Sequence, residues 1–233
     1  MSRTLEKLNS CAEEIKSKNP GVETAVVQAD FAGDSSLAFY ERIHAQIAGK
    51  DVSILVNNAG YADTGRMVNL TAESQKTMID TNATPVVMLT RMFLPQMLRR
   101  KKRSAVLNIS SIMGNFTSPG LCVYSATKHF VNALSLGLAF ETADKVDLLS
   151  LTPSFVTTKM TGMRQGRMCI TPQQCVSGAL DNLGQERITY GHFRHELHGA
   201  MLDTMQTFAQ ARYVKSFLRL TDRSYKKMQE KKN

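Results

Sequence analysis

Tyr124-Ser125-Ala126-Thr127-Lys128 sets a phenol and an ammonium four residues apart, which on a helix puts them on one face. A phenol ordinarily titrates near pH ~10, and a nearby cation stabilises the phenolate and lowers that value. The pair can therefore exchange a proton with a carbonyl or an alcohol, although the same spacing also describes a plain exposed helix pair. Ser111, thirteen residues before Tyr124, adds a hydroxyl. Asn57-Asn58-Ala59-Gly60 and Asn82 add amides and a glycine at which another group can approach the backbone closely.

These residues need a frame. The chain has 233 residues, 42% hydrophobic and 21% charged, a composition for a globular domain with a sizeable core rather than for disorder. Apolar spacing predicts helices over residues 4–18, 34–48, 71–98 (broken near Pro85), 124–142 and 172–183, with a helical basic C-terminus. Continuous apolar runs predict strands over 23–29, 52–56, 105–109 and 147–151, and a short one at 188–190. Strand–helix alternation of this kind predicts an α/β, doubly wound parallel sheet in a single domain covering 1–233. Such a sheet binds ligands beyond the carboxyl ends of its strands. Here those ends are Asp30-Phe31, Asn57 to Gly60, Ser110-Ser111 and Thr152-Pro153-Ser154, all rich in small and polar residues.

Taken together, Asn57-Asn58-Ala59-Gly60, Asn82, Asn108-Ile109-Ser110-Ser111 and Tyr124-x-x-x-Lys128 resemble the short-chain dehydrogenase/reductase family, whose fold is Rossmann-like. The resemblance implies that Tyr124 is the general acid or base at the substrate oxygen and that Lys128 holds the nicotinamide ribose and depresses the Tyr124 pKa. It further implies that Ser111 hydrogen-bonds the substrate oxygen and that Asn82 positions a water of the proton relay. By the same resemblance Asp30 sits by the adenine and Asn57 and Gly60 line the cofactor.

Leu151-Thr152-Pro153 with Val156, Thr158 and Met160, then Arg187, Gly191 and His195, are similar to the 17β-hydroxysteroid dehydrogenase and very-long-chain 3-oxoacyl-CoA reductase group. That similarity implies an NADP(H)-dependent reduction of a 3-oxoacyl-CoA or 17-ketosteroid, at the cytosolic face of the endoplasmic reticulum. Arg3 matches the position that recognises the 2′-phosphate, for which a guanidinium fork is suited. Thr158 matches the contact to the nicotinamide carboxamide. Ser154 departs from the Pro-Gly pair common in the wider family. Met160, Met163 and Met168 fall where the family carries a substrate lid, and methionine adapts to a long acyl chain or a sterol.

The family opens with a strand, a T-G-x-x-x-G-x-G turn and a helix that receives the pyrophosphate. This sequence begins where the second strand normally ends, so the expected fold is N-terminally truncated, with the first β-α-β segment absent through a shortened gene model or alternative start. In a family strand order of 3-2-1-4-5-6-7, residues 23–29 would then lie about 14 Å from their nearest remaining neighbour and would have to re-pair or float. A truncated, inactive homologue that binds lipid or a partner is the alternative reading.

The net charge is +9. Arg99-Arg100-Lys101-Lys102-Arg103 and the tail from Tyr225 to Asn233 are solvated loop and tail by the simplest reading, and peripheral membrane contact by the next. Nucleic acid is not expected, since no aromatic residues interleave the charge. The four cysteines have no metal-ligand spacing, so no metal is expected, and reduced thiols fit a cytosol-facing protein. No apolar run is long enough to span a bilayer, and no signal peptide opens the chain. In the family the helices over 71–98 and 124–142 form the dimer interface, which implies a homodimer or heterodimer.

Overall fold

The computed structural model describes residues 1–158 and 160–230, in two compact units, Met1–Asp51 and Val52–Asn233. The last residues of the expected basic tail, Lys231-Lys232-Asn233, lie outside the described residues.

The first unit holds α1 (Leu5–Lys18) and α2 (Leu37–Ile47). The Ser36 hydroxyl accepts the Phe39 N–H at 3.2 Å and starts α2, which delivers Phe39 and Tyr40 to a cluster with Phe31. Residues 23–29 correct the expectation of a strand. Among the described residues their only strand pairing is a single parallel bridge from Gln28 to Ser2, with the Ala29 N–H on the Ser2 carbonyl at 3.0 Å. An apolar extended run becomes a strand only where a partner backbone runs beside it.

The second unit contains six strands among the described residues: β1 (Ile54–Asn57), β2 (Ser104–Ile109), β3 (Val146–Leu151), β4 (Phe155–Val156), β5 (Cys169–Ile170) and β6 (Ile188–Thr189). The main sheet is all parallel in the order β1-β2-β3-β6, with Leu107 opposite Leu149 in its centre. β4 and β5 form a separate two-stranded parallel pair that the sequence pattern did not reveal. β1 is one of the two edge strands of this sheet among the described residues, and its Ile54 and Val56 remain 56% and 52% exposed.

The predicted long helix is two helices, α3 (Ala72–Asn82) and α4 (Thr84–Arg99), interrupted at Ala83, with Pro85 in the first turn of α4 where its missing N–H costs nothing. α5 (Cys122–Glu141) begins two residues before Tyr124. α6 (Pro172–Asn182) opens with a capping box between Thr171 and Gln174. α7 (Phe193–Phe208) and α8 (Gln210–Glu230) complete the chain. Among the described residues no helix is long and apolar enough to cross a membrane.

Arg103 is not a free surface charge. Its guanidinium pairs with Asp147 on β3 and donates to the Ala143 and Asp144 carbonyls at 3.0 and 3.2 Å. The basic run is thereby anchored at the amino end of the sheet, opposite the strand ends that carry Ser111 and Ser154.

One contact admits glycine alone. A Cβ on Gly178 of α6 would stand 1.6 Å from the Gly191 carbonyl oxygen, so the helix touches the turn before α7 backbone to backbone. Gly178→Ala is expected to destabilise the chain by about 2–3 kcal/mol, read as a lower urea midpoint at unchanged slope. An unaltered midpoint would mean that α6 is free to shift away.

Candidate active site

The Lys128 side chain enters the protein from the first turns of α5 and is only 4% exposed. Its Nζ donates to the Ile109 carbonyl, the last of β2, at 2.8 Å, and the Ser110 hydroxyl donates to the Lys128 carbonyl at 2.8 Å. Helix start and strand end are thus stitched in both directions. Burial opposes the charged form and brings the ammonium down from its ordinary 10.5 to about 8.

Tyr124 lies one turn earlier on the same face, with the Lys128 Nζ 5.8 Å from its ring centre. The Ser111 hydroxyl hydrogen-bonds the phenol and favours the phenolate, but burial outweighs it and raises the pKa above the ordinary 10. The depression expected from the Tyr-x-x-x-Lys spacing is therefore not realised in the chain by itself. The same burial that desolvates the phenol also weakens the hold of Lys128 on its proton, and the ammonium leans on the Ile109 carbonyl.

Asn82 ends α3 and is buried. Its Oδ1 accepts the Tyr61 N–H at 2.7 Å, while its Nδ2 donates to the Tyr61 carbonyl at 2.9 Å and to the Thr127 hydroxyl at 3.0 Å. This clamp fixes the chain that leaves β1 against the start of α5. Gly60 sits beneath it: a Cβ there would lie 3.6 Å from both Asn82 Oδ1 and Lys128 Nζ. An amide and a buried ammonium with three N–H donors thus flank Gly60. Asn57 is turned inward instead, with Nδ2 donating to Asn108 Oδ1 at 2.8 Å and to the Thr90 hydroxyl at 3.3 Å, its Oδ1 buried without a hydrogen-bond partner.

The structure brings Ser111, Tyr124, Lys128, Asn82 and Gly60 together at the carboxyl ends of β1 and β2. Thr158 lies beyond β4 on an exposed loop, with its backbone and hydroxyl bonded to Thr161. Arg3 and Asp30 belong to the first unit. The Arg3 carbonyl accepts from Gln28 Nε2 at 3.0 Å, and the Asp30 carboxylate accepts the Ala32 N–H at 3.1 Å.

Sequence reasoning missed the brace on residues 112–121, the segment that joins Ser111 to Tyr124. The Tyr213 hydroxyl of α8 donates to the Thr117 carbonyl at 2.7 Å, and the buried Tyr213 ring packs with Ile112, Phe116 and Leu202. Gly120, at φ +81°, lies against Thr221 so closely that a Cβ would meet its hydroxyl at 2.2 Å. Apolar residues recurring along α8 were the available signal, but nothing local says which surface they cover.

Residues 1–167 match the family model described as short chain dehydrogenase. The chain is 37% identical over 205 residues to very-long-chain 3-oxoacyl-CoA reductase-A of Danio rerio, covering 85% of this chain and 63% of that protein. It is 33% identical over 241 residues to the very-long-chain 3-oxoacyl-CoA reductase of Homo sapiens, covering 99% of this chain and 74% of that protein. The chain thus spans somewhat under two thirds of the length of the Danio rerio relative. Among solved structures, a 7beta-hydroxysteroid dehydrogenase superposes with a TM-score of 0.78 at 26% identity, over 93% of this chain and 84% of that one. A short-chain dehydrogenase from Sphingobium yanoikuyae in complex with NADPH gives a TM-score of 0.70 at 25% identity, over 90% and 85%.

The buried ammonium has a measurable signature. The displacement of Lys128 from 10.5 to about 8 is worth about 3 kcal/mol at about 1.4 kcal/mol per pH unit. The penalty is fully present below pH 8, where folded Lys128 is charged, and vanishes toward 10.5, where the unfolded lysine also loses its proton. Lys128→Met is accordingly expected to be more stable than wild type at pH 7 by about 1–3 kcal/mol in urea unfolding, with the advantage fading as pH rises through 8 toward 10. A pH-independent difference would contradict the buried charge.

Proposed function

Because this chain belongs to the short-chain dehydrogenase family, we propose that it is an NADP(H)-dependent oxidoreductase that reduces the keto group of a 3-oxoacyl-CoA. The observation that carries the reading is the convergence of Ser111, Tyr124 and buried Lys128 at the end of β2, beside Gly60. The names of the relatives favour the 3-oxoacyl-CoA over the ketosteroid. Exposed Met160 and Met163, at 59% and 40%, support an apolar acyl chain lying along the loop after β4.

When bound, the nicotinamide supplies a hydride to the carbonyl carbon. Tyr124 gives its phenolic proton to the carbonyl oxygen as charge develops there. Its raised pKa keeps that proton in place at neutral pH, the form a reduction requires. Ser111 donates a hydrogen bond to the same oxygen and orients the phenol through their mutual bond. Lys128 holds the ribose hydroxyls and stabilises the phenolate left behind. An anionic nucleotide beside it would draw its pKa back up and strengthen that role. Asn82, its amide committed to Tyr61 and Thr127, belongs to the relay that returns the proton to Tyr124 by way of water.

Thr158 is the residue we assign to the nicotinamide carboxamide, Asp30 to the adenine and Arg3 to the 2′-phosphate. We assign Gly60 to the cofactor side of β1, and Asn57 to the same site through the strand end it holds from within. We assign both units to one dehydrogenase domain. Pairing as a homodimer or heterodimer is supported by an apolar groove of about 600 Å³ lined by Ile79, Val87, Met88, Val123 and Phe130 of α3, α4 and α5. The exposed Lys101 and Lys102 of the basic run support peripheral attachment to the cytosolic face of the endoplasmic reticulum.

The test is NADPH oxidation by the purified chain with a long-chain 3-oxoacyl-CoA. Tyr124→Phe is expected to lower kcat by about 10²–10⁴ while NADPH binding, followed by fluorescence, is retained. Full activity in Tyr124→Phe would remove the phenol from the chemistry. Arg3→Ala is expected to raise the Kd for NADPH about 10- to 100-fold and leave that for NADH unchanged, the loss of one or two charge-assisted bonds. An equal loss for both cofactors would show that Arg3 does not read the 2′-phosphate.

A further inference from the structure

At the carboxyl end of β3 the chain turns through Thr152-Pro153-Ser154 into β4, and two histidines of α7 hold that turn. The Ser154 N–H donates to His195 Nδ1 at 3.2 Å, and His195 Nε2 lies 3.1 Å from the Phe155 carbonyl oxygen. Since Nδ1 accepts, the ring proton is on Nε2, which donates to Phe155. One imidazole thus satisfies the donor of one residue and the acceptor of the next, as a neighbouring strand would. His195 is fully buried, and burial holds its pKa below the ordinary value, so the neutral ring that this pattern needs is the favoured one.

One turn along α7, His198 Nδ1 lies 2.6 Å from the Ser154 hydroxyl, and its ring stacks on Phe155 at 5.8 Å between centres. Arg194 reaches the far side of the loop and donates to the Gly166 carbonyl at 3.3 Å. On the other flank of the turn, the Pro153 carbonyl accepts the Ile112 N–H at 2.9 Å, immediately after Ser111. A glycine in place of Ser154 would offer the N–H to His195 but no hydroxyl to His198.

We propose that His195 and His198 are positioning residues that set the turn after β3, and through it the loop bearing Thr158 and the Ser111 end of the site. Both rings act on Ser154, His195 through its N–H and His198 through its hydroxyl. The inference rests on the reductase reading for its kinetic consequence, though not for its structural one.

Both are tested on the full chain. Hydrogen exchange of wild type, His195→Phe, His195→Asn and His198→Phe is followed by mass spectrometry over residues 152–168 and, as reference, over β2. His195→Phe, which removes both bonds at similar volume, is expected to speed exchange in 152–168 by tenfold or more and leave β2 unchanged. His195→Asn keeps an acceptor near the Nδ1 position and is expected to fall between. His198→Phe keeps the ring stack, loses only the Ser154 hydroxyl bond, and gives a smaller rise of about threefold; it also serves if His195→Phe does not fold. In NADPH turnover, His195→Phe is expected to raise KM about tenfold with kcat within about threefold, partly restored by His195→Asn.

Unchanged exchange over 152–168 in both phenylalanine variants would overturn the clamp. Altered exchange with unchanged KM would confine it to a structural role and overturn the positioning claim. If wild type turns over no 3-oxoacyl-CoA, the reductase reading fails, and the same KM comparison made as NADPH Kd by fluorescence decides the positioning claim.

Discussion

A buried ammonium held by a single backbone carbonyl governs the arrangement of this site. Lys128 can lie inside only because β2 ends at Ile109, where a carbonyl is left over by the sheet, and because α5 starts close enough for a lysine to reach it. Ser110 returns the bond to the Lys128 carbonyl, so strand and helix cannot slide past one another without losing both. The attachment continues along α5. Asn108 donates to Ser135 at 2.8 Å, and Ser150 donates to Asn132 at 2.8 Å, which pins the helix to β2 and β3 in turn. Buried polar groups of this kind are specific where apolar packing is permissive, since a slip leaves each of them unsatisfied.

Ser111 and Tyr124 flank residues 112–121, a stretch with only one turn of 3-10 helix, Ile112–Gly114. Its rigidity comes from the distant C-terminal helix. Tyr213 and Thr221 of α8 meet the Thr117 and Pro119 carbonyls, at 2.7 and 3.3 Å, and Arg66 pairs with Asp222 on the outer side. The exposed ion pair adds little, whereas the buried Tyr213 ring supplies apolar packing as well as a hydrogen bond. The segment between Ser111 and Tyr124 thus depends on α8 for its support.

What could be read beforehand follows from how local each signal is. β2 and β3 announced themselves because strands covered on both faces must be apolar throughout, and the break between α3 and α4 was visible in Pro85. Residues 23–29 had the same apolar signature and still formed no strand, because a strand is a property of two backbones and one sequence run shows only one. β4 and β5, two residues each, are too short for any periodicity. Within the site, Tyr124, Lys128, Ser111 and Asn82 were legible through spacing and resemblance, and they do converge. Their electrostatics were not legible: the four-residue spacing promised a depressed phenol, and burial, which no spacing encodes, pushes it the other way. His195 was noticed only as a matching letter. Its two backbone bonds join residues some forty positions apart, and His198 had no signal at all.

The pairing of β4 with β5 closes the base of the loop between them, much as a drawstring closes a pouch. The described residues from Thr157 to Met168 can therefore change in size and polarity while the base stays shut and the groups behind it stay in register. Ser111, Tyr124 and Lys128 keep the places that β2 and α5 give them, whatever that loop becomes.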